Sequence, residues 1–343
     1  MRAVRLTAWE RPPQLCTVPR PQPGPGEVLL RVGAAGLCHS DLHIMHWPAG
    51  SLPYDLPFTL GHEVAGAVLR VGPGVEGVSE GERVLVYGPW GCGACPECSR
   101  GAEHLCRQRS SLPGVGCGLG RDGGLAEELL VPSARLLVPL GDLDPVAAAP
   151  LADAGLTPYH AIRRALTLLV PGSSAVVIGV GGLGHLAVQL LRVLSPVRVV
   201  AVDTRAAALE HALAAGAHVA VPADDATPAA LRRATRDRAA LVLDCVGAEE
   251  TLGLAGGVVA PGGHVSIIGM AGGTFPMRRG GVPMETPVVI TNWGTRAELA
   301  DVVALAQAGA LTVEVEPVHL ADVPAAYERL EAGDVRGRLV AVP

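Results

Sequence analysis

The chain of 343 residues contains no lysine; all 27 of its basic residues are arginines. Heat adaptation and a nucleotide-composition bias both produce that pattern, so no function is read from it. Charge of either sign is sparse, at 17% of residues with a net charge of −6, and no block of like charge runs together. A nucleic-acid partner is therefore not expected. Long apolar runs are also missing: the most hydrophobic stretch, 166–194, is broken by Pro171 and Arg192, and the opening Met1-Arg2-Ala3-Val4-Arg5 has no continuous apolar core. A globular, cytoplasmic protein with no membrane span is expected. Hydrophobic residues make up 49% of the chain, enough to bury sheets on both faces, and the length suits two domains of about 150–200 residues.

What is present begins with four cysteines, Cys92, Cys95, Cys98 and Cys106, at gaps of two, two and seven residues. That spacing lets four thiolates converge tetrahedrally on one closed, structural zinc ion. Paired disulfides or a redox Cys-x-x-Cys fit poorly, because neither a secretory leader nor a thioredoxin-like context surrounds these residues. Gly91, Gly93, Pro96 and Gly101 relieve the crowding of a tight metal loop, which has almost no apolar content of its own. Cys16, Cys117 and Cys245 read as small buried hydrophobes.

From residue 1 to about 140 the pattern is of short apolar runs punctuated by glycine and proline: 27–32, 64–71, 82–87 and 126–131. This predicts an all-β, barrel-like domain. From about 150 onward, apolar strands (175–179, 197–203, 240–245, 264–269) alternate with helical stretches (183–194, 206–215), the rhythm of a doubly wound parallel sheet in an α/β chain. The tail adds a helix at 296–308, an isolated strand at 313–317, a helix at 323–332 and a closing strand at 337–342.

The apolar run Ala175-Val176-Val177-Ile178 leads into Gly179-Val180-Gly181-Gly182-Leu183-Gly184 and then a helix. Glycine-rich turns are common, but strand before and helix after is the context of a dinucleotide-binding loop, with the pyrophosphate on the helix N-terminus. The next strand ends in Asp203, nineteen residues after Gly184, where a carboxylate binds the adenosine ribose and repels a 2′-phosphate. NAD is favoured over NADP; Arg205, two residues on, softens that preference, and a turn-capping Asp203 is the plain alternative.

Cys38-His39-Ser40-Asp41 ends a strand and turn, and Gly61-His62-Glu63 precedes another strand. Spacing alone does not bring the two segments together, and an isolated His62 would more often be structural. The order of these motifs, with Gly36-Leu37, Val64-Ala65-Gly66, Gly81-Glu82-Arg83-Val84, the cysteine loop and the glycine loop followed by His185-Leu186-Ala187-Val188-Gln189, resembles the zinc-dependent medium-chain alcohol dehydrogenases over essentially the whole chain. That resemblance implies a GroES-like catalytic domain from 1–150 and 293–343, a Rossmann NAD-binding domain over 151–292, and two zinc ions per chain. It implies Cys38 and His62 as catalytic zinc ligands, with Asp153 standing where many members place a cysteine. One thiolate and one carboxylate still balance the ion's two charges. Glu63 is implied as a residue near the zinc, Ser40 and His43 as a proton relay, His39 as a pyrophosphate neighbour and Thr157 as a nicotinamide contact.

Aromatic residues are only 3% of the chain, and Trp47, Tyr54 and Trp293, with Leu119, are candidates to line an apolar substrate pocket. Core packing or subunit contact explains each as well. The expected reaction is reversible hydride transfer between a small alcohol, apolar and secondary or aromatic, and NAD, giving a ketone or aldehyde. A polyol or formaldehyde dehydrogenase on the same scaffold is the alternative, with a non-catalytic NAD- and zinc-binding protein behind it. By analogy, a homotetramer or dimer is expected, with region 262–290 offering an edge strand.

Overall fold

Every residue of Ser174–Ile178 is buried, the pattern of a strand covered on both faces and therefore of a parallel sheet with helices above and below. The computed structural model describes residues 1–275 and 277–343 and divides into two units, Met1–Asp153 with Trp293–Pro343, and Ala154–Asn292. In the second unit Ser174–Ile178 is flanked by Arg198–Asp203 and Ala239–Asp244. Val219–Pro222 closes one side, and Val259–Ile267 and then Val288–Ile290 complete the other, all in parallel. Counted within this unit the strand order is 3-2-1-4-5-6, the dinucleotide-binding topology. The order reverses beside Ser174–Ile178, so the crevice for a ligand opens at the carboxyl end of that strand.

The first unit holds a sheet ordered Leu137–Pro139, Arg83–Val86, Glu63–Val71, Val28–Gly36, Arg338–Val342 and Val315–His319, with Glu128–Val131 also paired to Val28–Gly36. A three-stranded sheet, Gln14–Thr17, Arg2–Leu6 and Phe58–Thr59, accompanies it. The tail strand expected to be isolated instead runs parallel to Arg338–Val342, because Val315–His319 is the edge that the closing strand requires. The all-β expectation for the first 140 residues also needs amending. Residues past Cys38 form the helix His39–His46, with Asp41 accepting the Cys38 N–H at 3.0 Å in its first turn. That segment has too few apolar residues in helical rhythm to announce itself.

Strand register sets the neighbours of one glycine. Gly36 pairs with Glu63 on one side and with Val340 on the other, so Glu63 and the strand bearing Arg338 flank a residue that has no side chain.

Candidate active site and metal centres

The four-cysteine lobe is built on the short helix Pro96–Ser99 and the turn Glu103–Leu105. Its sulfurs approach at 3.5 Å (Cys95 to Cys98) and 3.9 Å (Cys92 to Cys98). A disulfide needs about 2.05 Å, whereas tetrahedral zinc with bonds of about 2.3 Å separates its sulfurs by about 3.8 Å. All eight cysteines are free thiols. Backbone N–H groups of Cys92, Cys95 and Gln108 point at the sulfurs of Cys106, Cys92 and Cys106 at 3.3–3.4 Å. The N–H groups of Cys98 and Arg107 bring the Cys95 thiol down to about 6, while burial pushes the neighbouring Cys98 thiol up to about 12. A Cβ at Gly91 would lie 2.4 Å from the Cys98 sulfur, so only glycine fits there. The lobe is pinned from outside by Arg135, which pairs with the buried Glu103.

A second group of metal-type donors, Cys38, His62, Glu63 and Asp153, has its donor atoms within 4.8 Å of one another. Cys38 stands at the N-cap of His39–His46, His62 leads into the strand Glu63–Val71, and Asp153 ends the turn Ala149–Ala152. Asp153 Oδ2 lies 3.6 Å from His62 Nε2 and 3.9 Å from the Cys38 sulfur. Tetrahedral zinc would set such atoms about 3.3–3.8 Å apart. Burial disfavours charge on His62, yet Asp41, Cys38 and Asp153 together hold its pKa well above the ordinary value. The convergence of sulfur, nitrogen and oxygen donors at these distances fits zinc.

Glu63 is turned elsewhere. Its Oε2 occupies the space where a Gly36 side chain would stand, at 1.9 Å from the Cβ position, and Oε1 meets Arg338 Nη2 from the strand beyond. Both side chains are almost wholly buried. Desolvation raises the Glu63 pKa and the Arg338 charge opposes it; Arg338 itself is held well above its ordinary value by Glu63 against the cost of burial. Asp41, also buried, places Oδ1 3.2 Å from His62 Nδ1. Residue type and spacing mark neither Asp41 nor Arg338 as part of the site. Asp41 carries the nearer signal, because it lies inside the Cys38-His39-Ser40-Asp41 motif, whereas nothing in the spacing links position 338 to position 63.

Ser40 Oγ is 3.6 Å from the Cys38 sulfur. His43, one turn further along the helix and half-buried, has its pKa lowered by desolvation and then by His46. His39 is exposed at the start of that helix. The edge of Trp293 meets the His62 ring, with centroids 6.3 Å apart, and Leu119 is buried in the same unit. Tyr54 packs edge-on against Phe58, and Trp47 caps the helix, half-buried; neither has a contact to the donor cluster among those described.

In the second unit Gly179 has φ +84°, the left-handed turn that ends the first strand. A Cβ at Gly184 would strike the Gly179 carbonyl at 2.0 Å, while one at Gly181 would meet nothing within 4 Å, so the turn is open at that point. Gly182 and Leu183 complete the turn, with Leu183 as N-cap of Gly184–Leu194. Asp203 Oδ2 accepts the Val180 N–H at 2.7 Å, and Oδ1 accepts Arg205 N–H at 2.9 Å and Arg205 Nε at 3.3 Å. These bonds orient the carboxylate and fold Arg205 onto it. Thr157 is buried in the first turn of the helix Leu156–Ala165.

A β-rich unit with two zinc-type centres, together with a parallel-sheet unit carrying a dinucleotide loop, defines a metal-dependent, nicotinamide-linked dehydrogenase. Residues 24–142 match the family described as "Alcohol dehydrogenase GroES-like domain" and residues 182–308 the family described as "Zinc-binding dehydrogenase". The chain is 36% identical to an NAD-dependent alcohol dehydrogenase of Sulfurisphaera tokodaii, with 100% of each chain covered. It is 33% identical to a D-arabinose 1-dehydrogenase (NADP(+)) of Saccharolobus solfataricus, covering 100% of this chain and 97% of that one. Its fold superposes on the crystal structure of an alcohol dehydrogenase from Aeropyrum pernix with a TM-score of 0.92 at 34% identity, again over 100% of both. The chain belongs to the zinc-dependent medium-chain alcohol dehydrogenases, and it is an enzyme that uses zinc and NAD. Among the described residues no helix is long and apolar enough to cross a membrane.

Proposed function

We propose that Cys38, His62 and Asp153 hold the catalytic zinc, and that Glu63 stays on Arg338 except when metal ligands exchange. The convergence of three donors from positions far apart in the chain carries this reading. When bound, zinc supplies Lewis acidity to the substrate oxygen and NAD accepts or returns the hydride. Ser40, beside the Cys38 sulfur, accepts the alcohol proton as it gives up its own hydroxyl proton along a relay to His43, which is kept neutral by its surroundings and releases a proton to solvent. The unit containing Met1–Asp153 is the catalytic domain and Ala154–Asn292 the cofactor domain, where Gly179, Gly181, Gly182, Leu183 and Gly184 cradle the pyrophosphate and Asp203 takes the ribose. Arg205, bonded to Asp203, is drawn away from service as a 2′-phosphate ligand, which supports NAD. His39 is assigned to the pyrophosphate and Thr157 to the nicotinamide on the strength of the resemblance.

Trp293 and Leu119, buried and apolar, support a secondary or aromatic alcohol as substrate, with Trp47 and Tyr54 assigned to the pocket's outer wall. A panel of secondary, aromatic and aldose substrates assayed with NAD tests this: preference for the aldoses sinks the apolar assignment. The four-cysteine centre, whose thiolates must stay reduced to hold zinc, supports a reducing, cytoplasmic location. The edge strand Val288–Ile290, with Ile290 75% exposed, supports pairing of chains into a dimer or tetramer.

The metal assignment is tested by zinc analysis of two variants. Asp153→Ala should hold one zinc per chain, and Glu63→Ala two; the opposite result reverses the two roles.

A further inference from the structure

Tyr327 lies on the helix Val323–Glu331 and is buried in the same unit as the donor cluster. Its hydroxyl donates to Asp41 Oδ2 at 2.8 Å, a contact between residues 286 positions apart. The same oxygen accepts the Cys38 backbone N–H at 3.0 Å, and Oδ1 faces His62 Nδ1 at 3.2 Å. One fully buried carboxylate thus touches the main chain of one metal-type donor and the ring of another, and the tyrosine is its third partner.

We propose that Tyr327 is a positioning residue that fixes the orientation of Asp41, and through it the His62 ring and the Cys38 main chain. The inference rests on the assignment of the catalytic zinc to Cys38, His62 and Asp153. Asp41 sits in the first turn of His39–His46, so the Cys38 N–H is a local bond that survives rotation of that short helix as a whole. The Tyr327 hydroxyl comes from a different element, packed against His39–His46, and holds the carboxylate in the frame of the tail. Held there, Asp41 keeps Oδ1 within 3.2 Å of His62 Nδ1, so the ring is braced on that side while Nε2 stands 3.6 Å from Asp153 Oδ2. The phenol serves only as a donor, because burial and then the Asp41 charge push its pKa well above the ordinary value. Partners of metal-bound histidines typically contribute about 10- to 100-fold in metal affinity.

The test uses the zinc-loaded enzyme and three variants: Tyr327→Phe, Asp41→Asn and the double substitution. Loss of each zinc to a colorimetric chelator is followed alongside kcat and KM. Tyr327→Phe should speed release of one zinc about 10-fold and lower kcat, with the four-cysteine zinc released at the parent rate and KM for NAD unchanged. In the Asp41→Asn background the same change should add less than about two-fold, since the tyrosine acts through that carboxylate. Parent-like release from Tyr327→Phe, equal acceleration of both zincs, or fully multiplicative effects in the double variant each overturn the proposal. A parent enzyme holding one zinc overturns the metal assignment instead, so the two failures are distinguishable.

Discussion

The four-cysteine lobe takes all its donors from the fifteen residues 92–106, whereas the mixed cluster takes its donors from positions 38, 62, 63 and 153. The lobe is little more than its ligands, a four-residue helix and a three-residue turn, so the metal is a large part of what orders it. The mixed cluster is the reverse. Strand register places Glu63 opposite Gly36, His62 precedes Glu63, and Cys38 follows Gly36 by two residues, so the sheet brings three of the four donors together and the turn Ala149–Ala152 adds Asp153. One centre is a fold made by a metal, and the other a metal site made by a fold.

The sharpest way to break this contrast is His62→Ala. It should remove one zinc of two and lower kcat/KM about 10,000-fold, as expected when a Lewis acid worth several kcal/mol is lost, while the four-cysteine lobe keeps its zinc and its hydrogen-exchange protection. Loss of protection over 92–106 would show that the mixed site also orders the lobe. Ser40→Ala should lower kcat about 1,000-fold with both zincs retained, since it removes a proton acceptor and no ligand. Turnover at the parent rate would dismiss the relay.

Arg338→Gln leaves the Glu63 carboxylate buried beside Gly36 without its countercharge and should cost about 3–5 kcal/mol in chemical denaturation. Glu63→Gln in the same chain should recover much of that, because the buried charge is gone. For the lobe, Cys98→Ser should release the other zinc and abolish hydrogen-exchange protection over 92–112, with protection in the parallel sheet unchanged. Loss of protection in both units would erase the distinction between local and global order.

The smallest effect concerns His43. Its pKa lies below 6.5 because burial disfavours the imidazolium and His46 adds like charge. Neutral His43 accepts the proton, so alcohol oxidation should rise with pH through a limb below pH 6.5, and His43→Ala should remove that limb. The same group contributes stability above about pH 6.5 that is lost as pH falls, because the unfolded chain binds the proton more readily. A parent limb centred above about 6.5 contradicts both statements.

Much of this was legible from the residues. The cysteine spacing and the glycine loop with its flanking strand and helix are contiguous motifs, and contiguous motifs survive without knowledge of the fold. The alternating strand and helix rhythm predicted the parallel sheet, since strands covered on both faces are apolar throughout. Less legible were the helix after Cys38, which carries little apolar periodicity, and the tail strand Val315–His319, whose partner Arg338–Val342 lies beyond an intervening helix. Position 153 is marked in the sequence only by the family resemblance.

By itself, then, the order of residues determined a zinc-binding loop, a dinucleotide turn and two domain types, because bonds along the chain limit how far such neighbours can separate. Tertiary structure alone decided that Glu63 reaches across a side-chain-free Gly36 to Arg338, that Asp153 faces His62 and Cys38, and that Tyr327 closes on Asp41. Those partners are far apart in sequence. What brings them within hydrogen-bond range is strand pairing and the burial that enforces it, and no local pattern encodes that distance.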